Sequence, residues 1–127
     1  MRYKKRELYK AFDGKLVGNF KMKQAVCNVL TNMPSEIIMF VTKNCWFMSS
    51  INNSLAYAFK GNDLKNQFLI FLSDELFIQD KSQIRYTIAH EIGHVFLGHN
   101  NSTSYIQSKE EIRRQEQKTD IFAKQYI

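Results

Sequence analysis

Residues 87–99 read TIAHEIGHVFLGH, and the rest of the chain is organised around how this stretch sits on a helix. At about 100° per residue, His94 lies about 40° round from His90 and one turn along, so both imidazoles point into one small volume. Such a pair supplies two nitrogens of a zinc site. Glu91 stands about 60° from His94, beside the pair, where a carboxylate reaches a metal-held water without taking the metal, the position of a general base. Ile84, Ile88, Ile92 and Val95 form an apolar stripe on the opposite side. Histidines at this spacing also arise by coincidence. The apolar or small neighbours Ile88, Ala89, Ile92, Gly93 and Val95, which a buried metal helix requires, favour the metal.

Working outward, the 127-residue length predicts a single domain over 1–127, large enough for a core without disulfide staples. One proline and five glycines argue against low complexity or a linker. Apolar runs such as Ile37 to Val41 fall far short of a membrane span, and the charged start MRYKKRELYK is followed by no apolar signal core. Both features predict a cytoplasmic protein without a membrane partner. Cys27 and Cys45 form no CxxC pair, which predicts reduced, buried packing residues.

The net charge of +6 is unevenly spread. Residues 1–23 hold eight basic side chains against Glu7 and Asp13, so the whole excess belongs to that segment. A solvated basic helix face explains this more simply than a nucleic-acid contact, so direct nucleic-acid binding is not favoured.

The segment of about 1–32 reads as helical: a basic helix over 2–12, ended near Asp13-Gly14, and a second over Phe20 to Leu30 with Phe20, Val26, Cys27, Val29 and Leu30 available for burial. After the break at Asn32 to Ser35, the run IIMFV (37–41) predicts a strand, with CWFMS (45–49) as its continuation. SLAYAF and QFLIFLS, flanking Gly61-Asn62-Asp63, predict a hairpin whose second strand, Phe68 to Leu72, is buried on both faces. Asp80 or Ser82 is expected to cap the HEIGH helix, and Gly98 to end it. On a continuous helix His99 faces about 180° away from His90, which makes it a local polar contact and not a ligand.

A zinc hydrolase needs a third protein ligand. Ser108 and Glu111 form a capping box opening a helix expected to run through Tyr126. On that helix Glu116 and Asp120 share a side with Ile112, Thr119, Phe122, Ala123, Tyr126 and Ile127, whereas Ile121 falls on the polar side. Carboxylates on a packing face need a compensating charge. The pattern therefore predicts Glu116 as the third ligand, completing a His90, His94, Glu116 site for one Zn²⁺ per chain. Asp120 is expected to accept a hydrogen bond from the outer nitrogen of a ligating histidine. Hydrolysis follows, with Glu91 as base and Tyr105 the nearest guess for oxyanion stabilisation. An edge strand at Gln67 to Leu72 would pair with extended substrate.

HExxH followed by a helical ExxxD is similar to the gluzincin arrangement. More specifically, HEIGHVFLGH and EQKTDIFAKQYI resemble the ImmA/IrrE family of small metallopeptidases, whose last helix is patterned E-x-E-A-(D/N)-x-F-A. Glu116, Asp120, Phe122 and Ala123 match; Lys118 and Thr119 replace the usual Glu and Ala. The resemblance covers about residues 50–127. It implies an α+β, minimal zincin-like domain with N-terminal helices, a small, mostly antiparallel sheet containing the hairpin, the HExxH helix and a C-terminal ExxxD helix. It also implies a bacterial or phage zinc metalloendopeptidase that cleaves a helix-turn-helix repressor, an anti-repressor role. The rival expectation is a non-catalytic zincin-like module that grips the same kind of partner.

Overall fold

The computed structural model describes residues 4–49, the backbone of residue 50 and of 56–61, and residues 67–98 and 108–127. Along these the chain forms α1 (Lys5–Phe12), β1 (Leu16–Val17), α2 (Phe20–Leu30), α3 (Ser35–Asn44), β2 (Cys45–Ser50), β3 (Ala56–Gly61) and β4 (Gln67–Ser73). A 3-10 turn over Asp74–Ile78 leads to α4 (Lys81–Phe96), and α5 (Lys109–Lys124) follows. The architecture is α+β, as expected. Residues 62–66, with the middle of the expected turn, and His99 and Tyr105 lie outside the described residues.

The sheet has the order β1-β2-β4-β3. Hairpin pairing holds: Ala56 lies opposite Leu72 and Gly61 opposite Gln67, antiparallel. The other two pairings are parallel, Leu16 with Phe47 and Cys45 with Phe68, so the expected mostly antiparallel sheet is corrected. The cause is topological. The chain leaves β2, runs back along the outer edge as β3 and turns again, so β4 enters between them in the same direction as β2. This also moves the free edge. Gln67 to Leu72, expected at an edge, is interior, and the outer strand beside α4 is β3. Burial of β4 is strong on one face, at Ile70 and Leu72, and partial at Phe68, Leu69 and Phe71.

The run IIMFV is helical, correcting the strand expected there. Five apolar residues in a row fit either period. Pro34 precedes the helix in extended conformation, its carbonyl accepts from the Ile37 and Ile38 amides, and Ile37, Ile38, Val41 and Thr42 turn inward while Met39 faces solvent. That is a 3.6-residue stripe. Strand structure begins only at Cys45.

The core joins Leu8 and Phe12 of α1, Met22, Val26 and Leu30 of α2, Phe47, Ile70 and Leu72 of the sheet, and Ile88 and Ile92 of α4. Phe12 meets Phe47 edge to face, with centroids 5.8 Å apart. Phe20, expected to be buried, is 70% exposed: it is the first residue of α2 and projects beyond the packed face. Cys27 and Cys45 are buried free thiols. Among the described residues no helix is long and apolar enough to cross a membrane.

Candidate metal centre

Two helices build the site. Helix α4 starts where the Asp80 carboxylate accepts the Gln83 amide at 2.8 Å. It ends with Gly98 in the left-handed region at φ 74°, where the Gly98 amide closes onto the Val95 carbonyl. Ile88, Ile92 and Val95 bury the stripe opposite the histidines. Helix α5 starts where the Ser108 hydroxyl accepts the Glu111 amide at 3.1 Å and ends at Lys124, two residues before the expected Tyr126. Thr119, Phe122 and Ala123 form its buried stripe, and Ile121 is exposed, as its side of the helix requires. Ile112 and Ile127, assigned to the packing side, are about half exposed near the helix ends.

Gly93 sets how closely the helices approach. A Cβ there would stand 2.8 Å from Cδ1 of Phe122 and 3.0 Å from Cγ2 of Thr119, closer than packed atoms tolerate. The glycine between the histidine turns is what lets the stripe of α5 lie directly against α4. Glu116, one turn before Thr119, is thereby carried over the imidazoles.

There, Nε2 of His90 lies 3.1 Å from one Glu116 carboxylate oxygen and Nε2 of His94 lies 3.1 Å from the other. One donor atom from each of the three residues can be chosen with all within 4.8 Å of one another. Around a tetrahedral zinc, donors ~2.0–2.1 Å from the ion are about 3.3 Å apart, so the spacing suits a metal. The Glu116 side chain is 51% exposed, which corrects the expectation that it lies on a fully buried face. Its position above two inward nitrogens carries the assignment, not a desolvation cost. Glu91 is buried, its carboxylate 3.9 Å from Nδ1 of His90.

The protonation pattern favours a cation at this point. Thr119 spends its hydroxyl hydrogen on the Gln115 carbonyl at 2.6 Å, and the same oxygen lies 3.4 Å from Nδ1 of His94. It is thus placed to accept Nδ1–H, which turns the Nε2 lone pair toward Glu116. Burial holds the His94 pKa below its ordinary value, with the His90 charge adding to the effect against the pull of Glu91 and Glu116. With that tautomer a neutral His94 sets its Nε2 lone pair 3.1 Å from a carboxylate oxygen, an arrangement that a cation between them stabilises. At His90 burial acts in the same downward sense, but Glu91 and Glu116 outweigh it and raise the pKa. Both imidazoles are thus tuned by the two glutamates around them.

Asp120 has different partners from those expected. It accepts the Tyr86 hydroxyl at 2.5 Å and pairs with Lys124 at 3.0 Å. Its link to an imidazole runs through Tyr86, whose ring lies against His90 with centroids 5.6 Å apart. The Tyr86 hydrogen bond first, then Lys124, holds the Asp120 carboxyl below its usual range, and the same bond with burial pushes the Tyr86 phenol up to about 12. A tyrosine, one turn before His90, is thus the residue that carries the effect of Asp120 to the site. Sequence reasoning missed both Tyr86 and Thr119. The signal for Tyr86 was its i, i+4 spacing to His90; for Thr119 it was the replacement of the usual alanine in the ExxxD helix.

A family model described as peptidase family M48 matches residues 36–117, from α3 through Glu116. The matched family differs from the one that the motifs resemble, and the match takes in residues 36–49, ahead of the stretch that the motifs cover. No curated protein and no solved structure matches the chain.

Proposed function

The chain belongs to peptidase family M48, and on that premise we propose that it is a zinc-dependent endopeptidase with His90, His94 and Glu116 as metal ligands and Glu91 as general base. The observation that carries this reading is the convergence of two Nε2 atoms from α4 on one carboxylate from α5, each at 3.1 Å. When bound, zinc supplies a Lewis acid that polarises the scissile carbonyl and acidifies a water at neutral pH.

The chain's own residues supply the rest. Thr119 keeps the His94 proton on Nδ1 and its Nε2 free to ligate. Tyr86, anchored by Asp120, braces the His90 ring. Glu91 takes the proton of the attacking water and hands it to the leaving amide nitrogen, so the peptide C–N bond breaks with the proton count conserved. The outer strand β3, beside α4, offers an edge with no strand partner among the described residues, on which an extended substrate segment adds as a further strand. Flexible linkers are therefore cut before folded domains. The resemblance of HEIGHVFLGH and the ExxxD helix to ImmA/IrrE proteins supports a regulatory protein such as a helix-turn-helix repressor as substrate, with the chain acting in the cytoplasm as an anti-repressor.

Elemental mass spectrometry and a repressor-linker peptide digest test this together. About one zinc per chain is expected in wild type and Glu91→Gln, with clear loss in Glu116→Gln, and cleavage only by wild type. Wild type without metal after zinc is supplied refutes the site. Full biological function in Glu91→Gln would identify a binding module.

A further inference from the structure

On the side of α4 away from the histidines, a cleft of about 450 Å³ opens between α2, the 3-10 turn and the first turns of α4. Lys21, Lys81 and Arg85 line it, together with the amides of Gln24, Asn28 and Asn32, over an apolar floor that includes Phe77 and Ile84. Lys81 and Arg85 sit roughly opposite His90 at about 100° per residue, so this cleft is separate from the metal centre. No carboxylate lines the cleft, and none among the described residues pairs with any of its three cations. Lys21 is fixed in place by donating to the Phe77 carbonyl at 2.7 Å, which ties α2 to the 3-10 turn.

Three cations that line one cleft with no carboxylate among its lining residues repel one another, and this fold keeps them around a concavity of ligand size. Neighbouring neutral amides and an aromatic ring add hydrogen bonding and contact area for an uncharged body. We propose that the cleft binds a small phosphorylated molecule, its phosphates held by Lys21, Lys81 and Arg85 and its remainder lying along Gln24, Asn28, Asn32 and Phe77. Guanidinium and ammonium groups in one site suit this, the first forking onto phosphate oxygens and the second acting as a point charge. The limited volume of about 450 Å³ favours a small ligand over an extended polymer, for which a continuous basic groove is the fitting shape. Such a ligand would bridge α2 to the helix that carries the metal ligands.

The proposal stands independently of the peptidase reading, because the test reads binding alone. Isothermal titration of the intact chain with pyrophosphate and with ADP should give one saturable site per chain. Affinity should fall at least tenfold in Lys81→Gln and be lost in Arg85→Glu, both exposed positions, while zinc content and thermal unfolding stay at wild-type values. Absence of saturable binding by either probe at millimolar concentration, or binding unchanged in Arg85→Glu, overturns it. Affinity that rises with the length of a single-stranded oligonucleotide also overturns it, since the cations would then belong to a polymer track.

Discussion

Replacing Gly93 with alanine should separate the metal centre from the stability of the fold. The added Cβ would meet Phe122 at 2.8 Å and Thr119 at 3.0 Å, so restoring a tolerable 3.4 Å opens the helix pair by about 0.6 Å. Overpacking of this kind costs ~1–3 kcal/mol. Alanine returns ~1 kcal/mol by preferring the helix to the unfolded chain. The net loss of stability is therefore small, ~0–2 kcal/mol, and a folded variant is expected. Binding constellations need placement within about 0.5 Å, so the same movement loosens the fit of Glu116 over the imidazoles. Zinc affinity should drop tenfold or more, about 1.4 kcal/mol at the least. Chelator competition measures the affinity, and urea unfolding of the metal-free protein measures the stability. Unchanged zinc affinity in a variant whose stability falls would refute the claim that Gly93 sets the distance between the ligands.

Removing the Tyr86 hydroxyl with Tyr86→Phe leaves Asp120 without its anchor on α4 and should lower zinc affinity about 10–100-fold with little change in unfolding; competition titration checks this. Phe47→Ala removes a fully buried ring that meets Phe12 edge to face and should cost about 3–5 kcal/mol by denaturant unfolding. Burial pushes the thiols of Cys27 and Cys45 up to about 11 and about 12 from an ordinary 9.0. The folded chain thus holds their protons more tightly than the unfolded chain does. This contribution to stability is complete below pH 9 and is lost as pH rises through 11 to 12; unfolding midpoints across pH 8–11 report it. Neither thiol should react with an alkylating reagent until the chain is unfolded, which mass spectrometry after timed quenching measures.

The meeting of His90, His94 and Glu116 was legible because helical periodicity alone fixes where each side chain points once the two helices are recognised. Ser108 and Asp80 made their starts readable through capping. Ile37 to Val41 was not readable, because a fully apolar run carries no period, and its helical character comes from the contacts of Ile37, Ile38 and Val41 with the rest of the core. Tyr86 and Thr119 became visible only with the crossing of α4 and α5, a tertiary distance that Gly93 sets and no local pattern encodes. The direction of β2 relative to β4 was hidden for the same reason. A hairpin states how its own two strands run and says nothing about the third.

That third strand has a bearing on how the chain acquires its shape during synthesis. β2 gains one neighbour, β1, from earlier in the chain, but its partner over six residues, β4, emerges only after β3 and the intervening connection have been made. Until β4 has left the ribosome, Phe47, which meets Phe12, has a strand neighbour on one side only. Helix α1 can pack on α2 and on α3 beforehand, but the sheet beneath Phe12 is completed only by this later strand. Non-local closure of this kind is entropically slow, so chain arrest before β4 should yield a nascent species whose Phe47 lacks its β4 neighbour and stays open to chaperones.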